Sequence, residues 1–382
     1  MQTTLDKDGS KILVTRSHIK GVFLEEVVIA LLKTAGYQLI ESAGADPTLH
    51  DGPAGVEVLG RGGFHQLDAV ADFAVRLPFS HPSRLVVEAK CYDENRIVGL
   101  NVVRNAVGVL KDINEYYLPG PSPLVPEVPK HYRFAIFSAT SFSPRAQRYA
   151  AAHDVFIIPY GSNAHMDNLI RLIQRFDDLL GQAYGDSGVP VALPLFRSIL
   201  RNGFSNSGSS SSGIAALGLP ALSMGPIYDA FKEVDTIGGS FFGVASDRLL
   251  LHLIPPNRYA FDVITEQASS GSPVAVTVHY GESERGRRSW FLRPLSNPDL
   301  SLSFDLPEEM FLQYAEAGHL TRSAALQLKV DNLSTIDSIR VDGNHVTRVL
   351  FQLDKNWIEA IRSGINERRA SDRIRPTTID ED

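Results

Sequence analysis

The feature that most constrains the fold is the run from Leu85 to Tyr92, in which apolar residues lead directly into charge. Its first residues are aliphatic and mostly β-branched, which predicts a strand buried on both faces. Side chains alternate along a strand, so Glu88 and Lys90 share one face while Val87 and Ala89 share the other. Charges at the end of a core strand cost free energy, so we expect this pair to have a function.

Length and composition are those of a globular protein with room for two domains: 382 residues, of which 43% are hydrophobic and 21% charged. No apolar run is long enough to span a bilayer and the polar start has no signal-peptide core, so we expect no membrane partner and a cytoplasmic location. The single cysteine, Cys91, excludes an intrachain disulfide and a cysteine-built zinc site. With a net charge of −7, contacts to nucleic acid would need a local basic patch.

A first helix is predicted from Ile19 to Ala35, where apolar residues follow the spacing of one buried stripe. Two acidic residues lie within it. Glu26 falls almost opposite the stripe, beside Lys33, where a charge is expected to be solvated. Glu25 falls on the border of the stripe, and the periodicity leaves open whether it is a boundary carboxylate or a functional one.

The segment from Phe64 to Val75 is predicted to form an amphipathic strand. One face is apolar throughout, and the other carries Gln66, Asp68 and Asp72. A lone strand of this kind usually has solvated acids. A loop with two prolines connects it to the strand that begins at Leu85, so we expect the two strands to pair as a hairpin.

Helices and strands alternate up to the end of the first half of the chain, which predicts a compact α/β unit with helices packed against a mixed sheet. A segment rich in Gly, Ser and Pro then predicts a linker. The remainder consists of short β-like runs, including one at Ala325 to Val330, with a helix at Pro307 to Ala317, and predicts a separate β-rich α+β domain. The expected organisation is therefore a first domain over residues 1–183, a linker over residues 184–222, a second domain of unknown role over residues 223–365 and a charged tail over residues 366–382. A chain that ends near Gln182 is expected to fold by itself.

The predicted hairpin brings Asp68 beside Glu88 and Lys90. Two carboxylates and the backbone carbonyl of Ala89 are oxygen ligands, which suit Mg²⁺ or Mn²⁺. Lys90 would be close enough to orient an attacking water or to stabilise charge on a phosphoryl oxygen. Such a site suits metal-assisted hydrolysis of a phosphodiester.

The chain resembles the PD-(D/E)XK nuclease superfamily, and is most similar to its restriction-endonuclease-like, Mrr-type branch. The resemblance covers roughly residues 17–180 and stops at the predicted linker, and the second half of the chain resembles no family that we recognise. The segments that carry it are Phe23-Leu24-Glu25 with Gly36-Tyr37, Gly63-Phe64-His65-Gln66-Leu67-Asp68, Val87-Glu88-Ala89-Lys90 and Ser141-Phe142-Ser143-Pro144-Arg145-Ala146.

The resemblance implies a restriction-endonuclease-like fold for the first domain and a role for each matched residue. Asp68 and Glu88 would be ligands of Mg²⁺ or Mn²⁺. Lys90 would be the catalytic lysine.

Three further positions follow from the same resemblance. Glu25 would be the acid of the first helix, which reaches the metal directly or through water. Gln66 would be a catalytic-site neighbour of the scissile phosphate. Leu67 stands where the family name places a proline, a departure that many members share.

The expected function is that of a Mg²⁺-dependent DNA endonuclease, with a role in prokaryotic restriction or anti-phage defence that rests on analogy. The second domain would supply target recognition, a contact to a defence-system protein or an interface between copies of the chain. The alternative is a nuclease-fold protein that no longer cuts and acts as a nucleic-acid-binding or assembly subunit. No feature of the sequence predicts recognition of a ribose 2′-hydroxyl, so the sequence does not distinguish RNA from DNA as a partner.

Overall fold

The computed structural model describes residues 11–53, 55–73, 81–115, 130–205, 215–246, 249–282, 288–306, 322–342 and 345–363. Within these ranges the protein is a mixed α/β structure with four sheets. The strands are β1 (Ile12–Val14), β2 (Tyr37–Leu39), β3 (Leu49–Gly52), β4 (Gly55–Leu59), β5 (Phe64–Gln66), β6 (Ala69–Phe73), β7 (Ser83–Lys90), β8 (His131–Ser138), β9 (Val155–Pro159), β10 (Val189–Val191), β11 (Phe241–Ala245), β12 (Leu250–Leu253), β13 (Val274–Glu282), β14 (Arg288–Pro294), β15 (Leu302–Phe304), β16 (Thr335–Asp342) and β17 (His345–Leu353). The helices are α1 (Arg16–Thr34), α2 (Leu100–Asn114), α3 (Pro144–Ala152), α4 (Asp167–Tyr184), α5 (Leu193–Ser205), α6 (Ala221–Ile237), α7 (Arg258–Ser269), α8 (Arg322–Leu333) and α9 (355–363).

The charged strand, β7, lies at the centre of a five-stranded sheet with the order β2-β6-β7-β8-β9. Strands β7, β8 and β9 are parallel, so their carboxyl ends meet at one edge. Strands β6 and β7 are antiparallel, with Ala69 opposite Val87, which confirms the predicted hairpin. This register places the start of β6 at the edge where β7 ends.

Helices cover both faces of this sheet, and β7 contributes alternate residues to the two core layers. Leu85, Val87 and Ala89 are buried in the layer that contains α1 and α4. Val86 is buried in the layer that contains α2 and α3. The strand is therefore buried on both faces, as its sequence predicts. Helix α3 begins as predicted, with Ser143 as its N-cap and a proline at its first turn.

The predicted strand from Phe64 to Val75 is divided between two sheets. β5 pairs with β4 in a small three-stranded sheet, whereas β6 belongs to the central sheet. Asp68 lies between them, and Val75 lies outside the described residues. The chain therefore changes sheets directly before the predicted metal ligand.

Much of the segment that was predicted to be a linker, residues 184–222, forms packed secondary structure. β10 pairs antiparallel with β1, and α5 follows it directly. Phe196 and Leu200 of α5 are fully buried in the same core layer as α1, and so is Ile227 of α6. The expectation of a linker is therefore wrong for residues 189–205, because their apolar side chains complete the first core. The Ser-rich residues 206–214 lie outside the described part of the chain.

The second half forms a seven-stranded mixed sheet with the order β12-β11-β16-β17-β13-β14-β15. The predicted strand at Ala325 to Val330 is wrong, because these residues lie within α8. The predicted helix from residue 307 and the tail over 366–382 lie outside the described residues. None of the helices in the described ranges has the length and apolarity that a membrane span requires.

The two halves of the chain are joined by buried contacts rather than separated. Tyr160, which follows β9, lies with its hydroxyl 2.9 Å from Nδ1 of His252 in β12. The other ring nitrogen of His252 lies 2.7 Å from the hydroxyl of Ser240. Phe242 of β11 makes an edge contact with Phe137 of β8. The seven-stranded sheet and the five-stranded sheet therefore pack against each other through buried side chains.

Candidate active site

Asp68 is held against the end of β7 by two backbone contacts. Its own N–H donates to the carbonyl of Val87 over 3.1 Å. The N–H of Ala89 donates to Asp68 Oδ2 over 2.7 Å. The first contact lies directly beyond the last β6–β7 pair, Ala69 and Val87, and the second fixes the carboxylate across the end of the strand. The predicted proximity of Asp68 and the Glu88–Lys90 segment is thus present.

The carbonyl of Ala89 is directed toward the same side as Asp68. Ala139 donates its N–H to the carbonyl of Lys90, so the backbone of Lys90 is directed toward β8. Backbone direction alternates along a strand in a sheet, and the N–H of Ala89 accordingly faces the other way, toward Asp68. A carbonyl lies on the same side as the N–H of its own residue, which places an oxygen donor beside the Asp68 carboxylate.

Glu88 and Lys90 form an ion pair, with Lys90 Nζ 2.5 Å from Glu88 Oε1. Both side chains are about one-fifth to one-quarter exposed, at 19% and 25%. Burial by itself would lower the pKa of Lys90, but the charge and hydrogen bond of Glu88 outweigh burial and raise this pKa above its usual value. Lys90 is therefore an ammonium at neutral pH. This charge state suits stabilisation of negative charge and not removal of a proton from water.

The carboxyl of Asp68 is unusually basic. Burial and then the negative charge of Glu25 raise its pKa to about 7, against the opposing effects of the Ala89 N–H and of Lys90. Burial is the larger of the two causes, so the charged form of Asp68 is poorly solvated. A bound cation would stabilise this charged form.

Glu25 and Glu26 of α1 are both buried, with side-chain exposures of 10% and 0%. Burial raises the pKa of Glu25, while Arg197 opposes the shift. Glu26 binds both Arg197 and Arg201 of α5. The predicted solvated position of Glu26 is therefore wrong, because α5 covers the face of α1 on which it lies.

Arg197 and His18 lie beside the site and were not predicted from the sequence. Arg197 Nη2 lies 2.6 Å from Glu25 Oε2. Exposed His18 lies two turns before Glu25 on α1. Burial and the charge of Arg197 lower the pKa of His18, whereas the charge of Asp68 raises it. Both groups therefore lie close enough to His18 to affect its ionisation. The helical spacing of His18 and Glu25 was a usable signal, whereas no local pattern marks Arg197.

Gln66 is placed differently from the other predicted site residues. It is exposed and lies in β5, opposite Glu57 of the small sheet. Asp68, Glu88, Lys90 and Glu25 share electrostatic contacts, as the shift of the Asp68 pKa records. The described contacts of Gln66 belong to a neighbouring sheet instead.

The donors present fit a hard divalent cation. Asp68, Glu88 and the carbonyl of Ala89 offer oxygen atoms at one sheet edge, which is the donor type that Mg²⁺ and Mn²⁺ prefer. Among the described residues, no group of three or more acidic, histidine or cysteine side chains is already converged on one point. Glu25 is directed to Arg197 and Glu88 to Lys90. Both of these carboxylates are therefore already paired with a cation.

Comparisons with known proteins add little to this geometry. No protein-family model matches the chain, and no curated protein matches it significantly. The crystal structure of a protein of unknown function, AF1548, is similar at 16% identity over 56% of this chain and 97% of that chain, with a TM-score of 0.30. A similarity at this level does not bear on fold or function.

The raised pKa of Asp68 predicts a pH-dependent stability difference. The folded-state pKa of about 7 lies above the usual aspartate value, so the protonated acid stabilises the folded state. This contribution is complete below about pH 4 and is lost as the pH rises through about 7. Asp68→Asn, which resembles the protonated acid, should match the wild type in melting temperature near about pH 4 and exceed it by a growing margin up to about pH 8.

Thermal melts of both proteins across this pH range check the prediction. Glu115→Gln is the control, because Glu115 is an exposed carboxylate near the opposite edge of the sheet, where β7 and β8 begin. A melting difference between wild type and Asp68→Asn that stays constant with pH would show that Asp68 has an ordinary acidity.

Proposed function

We propose that the protein is a metal-dependent DNA endonuclease whose site lies at the carboxyl end of β7. The observation that supports this most is the clamp on Asp68, whose carboxylate accepts the N–H of Ala89 between Glu88 and Lys90. It puts two carboxylates, a carbonyl and an ammonium at one edge of the sheet. This combination is what metal-assisted phosphodiester hydrolysis requires.

Each residue then has a specific task. The metal, Mg²⁺ or Mn²⁺, would be held by Asp68, Glu88 and the carbonyl of Ala89. Glu25 would bind it directly or through a bridging water. When bound, the metal supplies Lewis acidity and lowers the pKa of a bound water. Lys90, as an ammonium, stabilises the negative charge that builds on a phosphoryl oxygen during cleavage.

We further infer a restriction-endonuclease-like fold for the first half of the chain. The support is the mixed five-stranded sheet with helices on both faces and the acidic residues at the ends of β6 and β7. A role in restriction or anti-phage defence rests on analogy with that family. Any recognition of a DNA target would fall to surfaces beyond the sheet edge.

A second function is favoured by the two ion pairs at the site. Arg197 neutralises Glu25 and Lys90 neutralises Glu88, so the site is partly balanced without a metal. This arrangement also suits a protein that keeps the nuclease fold and binds nucleic acid, or joins an assembly, without cutting.

Incubation with DNA separates the two functions. The purified chain is mixed with linear, circular, single-stranded and base-modified DNA in Mg²⁺, Mn²⁺ or EDTA. An endonuclease cuts at least one of these in the presence of metal and none in EDTA. Retention of DNA in gel-shift assays, with all forms intact under every metal condition, would favour the non-cleaving alternative.

A further inference from the structure

Arg197 links the candidate site to a helix that lies outside the nuclease-like segment of the sequence. It belongs to α5, beyond residue 183, where a linker is expected. Its side chain is 23% exposed, and its guanidinium reaches both buried acids of α1. The site residues predicted from the sequence all lie between Glu25 and Lys90.

The two amino groups of Arg197 have different partners. Nη1 donates to Glu26 Oε1 over 3.0 Å. Glu26 is held independently by Arg201, which donates to both of its oxygens over 2.7 and 3.1 Å. Nη2 of Arg197 lies 2.6 Å from Oε2 of Glu25. The Glu26–Arg201 pair thus anchors one side of the guanidinium, and the other side engages Glu25.

We propose that Arg197 is a resident counter-ion of Glu25 that competes with the divalent cation for this carboxylate. This inference rests on the proposed metal site. Arg197 acts through Glu25 and is therefore a positioning residue. Helix α5 would in this way set how tightly the site takes up metal.

The physical basis is charge balance at a partly buried site. A guanidinium stays protonated at all accessible pH values, so it keeps one positive charge beside Glu25 permanently. Such a charge repels a divalent cation bound nearby, and it occupies the Glu25 oxygen that the cation or its water would use. Removal of the guanidinium leaves Glu26 paired with Arg201 and leaves Glu25 a buried carboxylate without a counter-ion, whose place a divalent cation can take. Metal affinity should therefore rise.

Calorimetric titration of the full-length chain with Mn²⁺, in the absence of DNA, tests the competition. Arg197→Gln is expected to bind Mn²⁺ on the order of tenfold more tightly than the wild type. Arg201→Gln is the matched control, because it removes the same charge one helical turn away but leaves the contact to Glu25. Its Mn²⁺ affinity should stay within about twofold of the wild type.

A Glu25→Gln background separates competition for Glu25 from a general effect of charge. In that background, Arg197→Gln should no longer tighten Mn²⁺ binding appreciably. Unchanged or weaker binding by Arg197→Gln in the otherwise native chain would overturn the competition while leaving the metal site in place. Absence of Mn²⁺ binding in the wild type and in Arg197→Gln alike would overturn the proposed metal site as well.

A structure of the wild-type chain with Mn²⁺ bound gives a test that needs no variant. Competition predicts that Arg197 Nη2 and Glu25 Oε2 move beyond hydrogen-bonding distance when the metal is present. Persistence of the pair at its 2.6 Å separation, with Mn²⁺ bound at Asp68 and Glu88, would contradict the proposal.

Discussion

Lys90→Ala is expected to reduce Mg²⁺-dependent DNA cleavage by about 10²- to 10³-fold, the typical effect of removing a group that stabilises charge in a transition state. Burial alone would lower the pKa of Lys90, but the charge and hydrogen bond of Glu88 help to raise it above its usual value, so Lys90 stays an ammonium. Alanine cannot supply that charge. The substitution also frees Glu88, so Mn²⁺ affinity should be kept or increased while cleavage is lost.

Initial cleavage rates and Mn²⁺ titrations on the same preparations measure the two effects separately. Lys111→Ala is the control, since Lys111 is an exposed lysine of α2 near the opposite edge of the central sheet. It should cleave DNA at the wild-type rate. A Lys90→Ala protein that cleaves as fast as Lys111→Ala would remove Lys90 from the mechanism.

Truncation of the chain after Gln182 is expected to abolish folding, contrary to the prediction from the sequence. The truncated chain would lack α5, and with it Arg197 and Arg201, the two cations that pair with Glu26. Loss of α5 and α6 also exposes apolar surface of α1 and α4, at about 1.5–3 kcal/mol for each large buried side chain removed. These losses are comparable with the whole stability of a domain, about 5–15 kcal/mol.

A chain that ends at Gly238 is the matched control, because it retains both arginines and ends at the C-cap of α6. It should melt cooperatively, at a lower temperature than the full-length chain because it lacks the contacts of Phe242 and His252, whereas the shorter chain should aggregate or show no thermal transition. A soluble chain of residues 1–182 with a cooperative melt would mean that α5 and α6 are not needed to complete the first core.

The central part of the site could be predicted because strand periodicity is a local property. The two-residue alternation along β7 puts Glu88 and Lys90 on one face, and the short connection from β6 to β7 brings Asp68 beside them. Both features can be found from nearby residues. The break between β5 and β6 could not, because the alternation of the sequence continues across the change of sheet. Gln66 was consequently placed beside Asp68.

The environment of α1 could not be predicted, because it depends on residues far away in the chain. A helix that packs on one face leaves the opposite face in water, and Glu26 was placed there by that rule. α5 and α6 cover this face, and their packing partners are not visible in their own sequence. A Ser-rich segment beside α5 made the whole region resemble a linker.

In the second half of the chain, local signals were weaker or were overlooked. Short apolar runs do not distinguish a strand from a helix, and the run at Ala325 to Val330 proved to be part of α8. Helix α7 was missed although Asn257 caps it and its buried residues have helical spacing. Its signal was therefore present in the sequence.

The proposal that Asp68 organises a metal-dependent nuclease site is tested most directly by cleavage of DNA by Asp68→Asn and wild type, side by side in Mg²⁺ and in EDTA. Asparagine keeps an oxygen to accept the N–H of Ala89 but removes the charge that would bind the cation. The wild type should cut in Mg²⁺ and not in EDTA, and Asp68→Asn should be slower by at least about 10²-fold. Equal cleavage by the two proteins, or cleavage that continues in EDTA, would contradict the account.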